Sequence, residues 1–106
     1  MWNSIINFID LGPKARAYVR IRGNIFEGAY HLYVEERVRS HGLRGWMRVL
    51  HLPIDSYLEI ELEGSRHRLE MLLVDFQHGP ATAKVFNAEV NWKTFRNEFH
   101  DFRLRH

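Results

Sequence analysis

Ala15-Arg16-Ala17-Tyr18-Val19-Arg20-Ile21-Arg22 alternates strictly: Ala17, Val19 and Ile21 fall on one side of an extended chain, and Arg16, Tyr18, Arg20 and Arg22 on the other. That period of two predicts a strand with one face on a core. Gly23 breaks it, and Gly23-Asn24-Ile25-Phe26-Glu27-Gly28 reads as a loop bounded by two residues that tolerate positive φ. Beyond the loop the period changes. Tyr30, Val34 and Val38 recur at helical spacing, with Glu35, Glu36, Arg37 and Arg39 on the exposed side and Gly42 as a stop, which predicts a helix over 29–41.

Residues 44–50 follow as a short strand carrying Trp46, and 51–56, with Pro53, read as a hairpin loop. In 57–63, Leu58, Ile60 and Leu62 alternate with Tyr57, Glu59, Glu61 and Glu63, so this strand too has an apolar face and a charged, exposed one. Leu69, Leu72, Leu73 and Phe76 stand at i, i+3, i+4 and i+7, defining a second amphipathic helix opened by Ser65 and closed at Gly79-Pro80. Residues 82–92 and 99–104 read as the last two strands. The order βαββαβ with an added C-terminal strand predicts an α+β, ferredoxin-like two-layer sandwich, with two helices packed on one antiparallel sheet. In that arrangement the first and third strands are neighbours. Arg16, Arg20 and Arg22 then lie beside Glu59, Glu61 and Glu63, where each opposite-charge pair contributes about 0.2–1 kcal/mol. An acidic row repels phosphate, so nucleic acid is not an expected partner of this face.

A chain of 106 residues, 45% hydrophobic, fits one domain. We expect it to occupy 14–106, preceded by an N-terminal extension over 1–13. With no cysteine, disulfides and thiolate chemistry are excluded. The formal net charge of +2 is well short of what duplex binding usually requires. His41, His67, His78, His100 and His106 are dispersed, without a metal-binding pair at helical spacing, so no metal is expected and most are expected to be solvated. The extension, with Trp2, Ile5, Ile6, Phe8, Ile9 and Leu11, lacks the marks of a signal peptide and is too short to span a membrane, which makes the cytoplasm the expected location. It is expected to pack on its own domain, with a second copy of the chain or a protein partner as the alternative.

Several segments in this order resemble the acylphosphatases, small enzymes that hydrolyse acyl phosphates without metal or cofactor. Gly42-Leu43-Arg44-Gly45-Trp46-Met47-Arg48 is similar to the family's G-L-x-G-W-V-R-N, Gly79-Pro80-Ala81-Thr82-Ala83-Lys84-Val85 to its G-P-x-x-A-x-V, and Phe99-His100-Asp101-Phe102-Arg103-Leu104 to its closing F-x-G-F-x-I. Trp46 and Trp92 by themselves read as ordinary core aromatics. The resemblance implies a phosphate-binding loop at Gly23, Asn24, Ile25, Phe26, Glu27, Gly28 and Ala29, and no cofactor. It places His31 where the family has its phosphate-binding arginine and Val49 where it has the asparagine that orients the attacking water. The second loop glycine becomes Glu27.

Each replacement opposes the chemistry. Valine has no atom that can hold water. Neutral histidine offers one donor where arginine offers five and a permanent charge, and Glu27 brings a negative charge towards a phosphate dianion. The expectation is an acylphosphatase-like domain that has lost efficient hydrolysis and acts as a binding or regulatory module, with a small anion or acyl phosphate as the ligand at the loop. The alternative is a divergent hydrolase in which His31 holds the phosphate. Asn24, Arg48 and His51 are further side chains whose approach to the loop would matter.

Overall fold

The computed structural model describes residues 12–23, 30–51, 56–78 and 85–105. The elements in chain order are β1 (Lys14–Gly23), α1 (Tyr30–Ser40), β2 (Arg44–His51), β3 (Ser56–Ser65), α2 (Arg66–His78), β4 (Val85–Lys93) and β5 (Phe102–Leu104). They form one five-stranded sheet in the order β4-β1-β3-β2-β5, the ferredoxin-like arrangement that the alternation and helical periods predict. One correction concerns the last strand. Only Phe102–Leu104 is extended, and β5 runs parallel to β2 while all other pairs are antiparallel, so the sheet is mixed. The strand expected over 82–84, the hairpin position of Pro53 and the extension over 1–11 lie outside the described residues.

The alternation decides what is buried. Ala15, Ala17, Val19 and Ile21 of β1, Leu58, Ile60 and Leu62 of β3, and Met47 of β2 form one core with Tyr30, Val34 and Val38 of α1 and Leu69, Leu72 and Phe76 of α2. Both helices therefore cover the same face of the sheet. Ser65 caps α2 by accepting a bond from the Arg68 N–H at 3.3 Å. Gly42, at φ +66°, ends α1: its N–H bonds to the Arg39 carbonyl at 3.0 Å, and the Leu43 N–H bonds to the Val38 carbonyl at 3.2 Å, satisfying two carbonyls of the last turn.

The other face carries the charged rows in the expected register, with Arg16 opposite Glu63 and Arg20 opposite Glu59. Here the structure corrects the reading of the acidic row as exposed. Glu59 and Glu61 are 5% exposed and Glu63 is fully buried. Lateral cations cover them: Lys93 Nζ lies 2.7 Å and Arg16 Nη2 3.1 Å from Glu61, and Arg48 Nε lies 2.5 Å from Glu59, which also accepts a bond from the Tyr18 hydroxyl. Residues 94–101, irregular in conformation, link β4 at one edge of the sheet to β5 at the other. Their anchor is Glu63, whose carboxylate accepts the backbone N–H groups of Arg96, Asn97, Glu98 and Phe99 at 2.6, 3.0, 2.7 and 3.4 Å. Those amides are why Phe99 to Asp101 do not continue the strand.

Burial pushes the Glu63 carboxyl up, but the backbone N–H groups and Arg16 outweigh it and hold the group below the usual glutamate value of 4.5. A carboxylate with a depressed native pKa contributes stability that is fully present above its unfolded value and is lost as pH falls through the native one. Thermal midpoints are therefore expected to hold from pH 7 to about pH 5 and to drop on further acidification. Glu63→Gln is expected to lower the midpoint at pH 7 and to flatten the acid limb; melts at stepped pH check both.

Candidate active site

The loop that the sequence assigns to phosphate leaves β1 at Gly23 and enters α1 at Tyr30, and Asn24, Ile25, Phe26, Glu27, Gly28 and Ala29 between them lie outside the described residues. What the structure fixes is the flanks. Ile21 of β1 pairs with Leu58 of β3, and Leu58 pairs with Val49 of β2. Val49 thus stands in the same transverse row as the residue two positions before Gly23, on the helix-covered face, at the end of the sheet where the loop begins.

His31 is set by helical phase. Tyr30, Val34 and Val38 recur at four-residue steps and all turn inward, so the next residue around the helix faces out, and His31 is exposed. Among the described residues, none hydrogen-bonds its ring. No acidic residue occupies the first turn of α1, which leaves the partial positive charge of the helix terminus uncancelled within that turn. Val49 is half-buried and packs, with Tyr33, against the core. Both sequence-assigned positions therefore flank the loop, one as an exposed imidazole and the other as an apolar wall.

Arg48 is not available to this site. It lies on the opposite face of β2, with Nε bonded to Glu59 and its guanidinium over the Trp46 ring at 5.6 Å. Trp46 also departs from expectation. It lies on the open face of the sheet between Arg48 and Arg105, whose guanidinium is 4.6 Å from the ring centre, whereas Trp92 packs on the core. The side chain of His51 lies outside the described residues.

Two polar features beneath the helices escaped the sequence reading. Tyr30, fully buried, donates its hydroxyl to the Phe76 carbonyl in the last turn of α2 at 2.9 Å. Its apolar ring fits the helical period, and only the partner carbonyl, far along the chain, reveals the use of the hydroxyl. Tyr30→Phe is expected to cost about 1–2 kcal/mol in urea unfolding, because it strips a buried carbonyl of its donor. The second feature is the one exception, among the described residues, to the expectation that the histidines are mostly solvated, which His67, His78 and His100 meet by being exposed. His41 is 9% exposed. Its Nε2 lies 3.0 Å from Asp75 Oδ2, which also accepts bonds from Arg37 Nε and Nη2 at 3.0 and 2.7 Å. The His41 bond and then the Arg37 contacts, working against desolvation, hold the Asp75 carboxyl below its usual 3.8. This cluster joins α1 to α2. Among the described residues no group of three His, Cys, Asp or Glu side chains is placed to hold a metal ion, and no helix is long and apolar enough to cross a membrane.

The family model described as acylphosphatase matches residues 17–104. An acylphosphatase from Anaeromyxobacter is 29% identical over 96 residues, covering 91% of this chain and the whole of that protein. Another from Pyrobaculum arsenaticum is 32% identical over 90 residues, covering 85% of this chain and 93% of its own length. Among solved structures, the acylphosphatase of Bacillus subtilis superposes with a TM-score of 0.76 at 17% identity, over 87% of this chain and 99% of that one.

Proposed function

Because the chain belongs to the acylphosphatase family, we propose that its domain keeps the family scaffold, has lost efficient hydrolysis of acyl phosphates, and serves as a binding or regulatory module. The observation that carries this reading is Val49, a half-buried side chain without a polar atom, packed on the core; the sequence resemblance aligns it with the family's water-orienting asparagine. Water that is not held in line with the phosphorus loses the advantage of positioning, a major source of rate in such reactions. His31 adds to this. It cannot present the planar fork with which arginine grips two phosphate oxygens.

What the loop retains, on this reading, is weak affinity for a small oxyanion at the amide end of α1, stronger when His31 is protonated and opposed by Glu27. Benzoyl phosphate hydrolysis tests the proposal. Turnover by the wild-type chain is expected to stay at the spontaneous rate from pH 5 to 8. Turnover comparable to that of family enzymes, abolished by His31→Ala, would instead establish a hydrolase that uses His31.

A further inference from the structure

On the face of the sheet opposite α1 and α2, towards the Lys14 end of β1, Arg16, Lys93, Thr94 and Arg96 line a cleft of about 330 Å³. Three of the four are cationic and the fourth offers a hydroxyl. The Arg16 side chain, 9% exposed, is fixed: Nη2 bonds Glu61 at 3.1 Å and Glu98 at 3.0 Å, and its guanidinium carbon lies 4.7 Å from the centre of the Phe99 ring. Its Nε and Nη1 are buried and hydrogen-bond to none of the described residues, with Nη1 3.7 Å from Glu63. Buried donors left in that state ask for an acceptor.

The surrounding carboxylates are already engaged. Glu61 takes Arg16 and Lys93, and Glu63 takes four backbone N–H groups. Arg96 is exposed, and among the described residues nothing binds its guanidinium. We propose that the cleft lined by Arg16, Lys93, Thr94 and Arg96 is a binding site for a phosphate-class oxyanion, separate from the loop ahead of α1. Arg96 supplies mobile charge at the rim, Lys93 a second cation held in place by Glu61, Thr94 a neutral donor, and Arg16 a fixed guanidinium at the floor. A tetrahedral oxyanion has enough oxygens to take these donors together, whereas a monocarboxylate has two.

Inorganic phosphate titrated into the full chain at constant ionic strength, followed by backbone amide shifts, tests the site. The expected result is saturable movement of the amides of Lys93 to Glu98, with affinity falling about tenfold in Arg96→Ala and again in Thr94→Val, both at exposed positions. A parallel titration with phenyl phosphate separates free phosphate from a phosphomonoester as the better-fitting source. Shifts that do not saturate, that are reproduced by acetate, or that keep the same affinity in both variants would overturn the proposal. Amides of Gly23 and Tyr30 to Leu32 report the loop independently, so the two sites succeed or fail separately.

Discussion

The triple substitution Glu27→Gly, His31→Arg and Val49→Asn is expected to raise benzoyl phosphate turnover at least about 10²-fold over the wild-type chain. Loss of one preorganised hydrogen-bonding group typically removes about 10²–10³ in rate, and two such groups with an adverse charge are corrected here together. The scaffold permits the exchange. Val49 is only half-buried, and its row with Leu58 and Ile21 holds it at the end of β1 where the loop starts. His31 is exposed, so an arginine fits without repacking. Groups that act as a unit are strongly non-additive, so the single substitutions are expected to do little alone. The asparagine trades apolar packing for an amide at the core margin, at about 1–3 kcal/mol, so the assay belongs below the melting range. A folded triple variant no faster than wild type would mean that these three side chains are not what limits turnover by this chain.

Gly45→Ala is expected to abolish folding at 37 °C. Gly45 lies in β2 at φ +152°, a conformation that side-chain-bearing residues rarely adopt. A Cβ there would collide with the Glu61 carbonyl, lying 2.8 Å from its carbon and 3.0 Å from the Leu62 Cα. The obstacle is backbone of the central strand, which cannot rotate aside. Relief requires β2 to part from β3, and with it the bond from the Gly45 N–H to the Asp101 carbonyl at 2.8 Å. Losses above about 4 kcal/mol come from this kind of mechanism, against a total of about 5–15 kcal/mol for a typical domain. Circular dichroism at 37 °C checks it; a native spectrum with a midpoint within a few degrees of wild type would show that β2 can shift more freely than its pairing indicates.

The topology was legible because the signals behind it are local and periodic. The alternation at Ala17, Val19 and Ile21 and the helical spacing of Leu69, Leu72 and Phe76 each assign a buried face, and the βαββαβ order makes the first and third strands neighbours, which puts the row of Arg16 and Arg20 beside that of Glu59 and Glu63. That His31 and Val49 hold the family's arginine and asparagine positions belongs to the proposal, and rests on a count back and forward from Gly45-Trp46 that needs no gap. Burial of the glutamates was not legible. It depends on backbone amides at 96–99, which have no side-chain signature, and on cations reaching sideways from β1, β2 and β4. His41 escaped for want of any local mark of Asp75, 34 residues away in sequence. The six residues of the loop itself rest on the sequence alone.

Glu63 carries one more consequence. Several successive amides converging on one oxyanion is the arrangement with which loops seize phosphate or sulfate, and the turn at 96–99, with Asn97 at φ +52°, makes such a cradle. Here the occupant is a side chain of the same molecule. A tethered guest is present at an effective concentration that millimolar solutes do not match, so the cradle is closed to visitors while Glu63 stays ionised. Among the described residues, this receptor of four amides is one that the chain occupies itself.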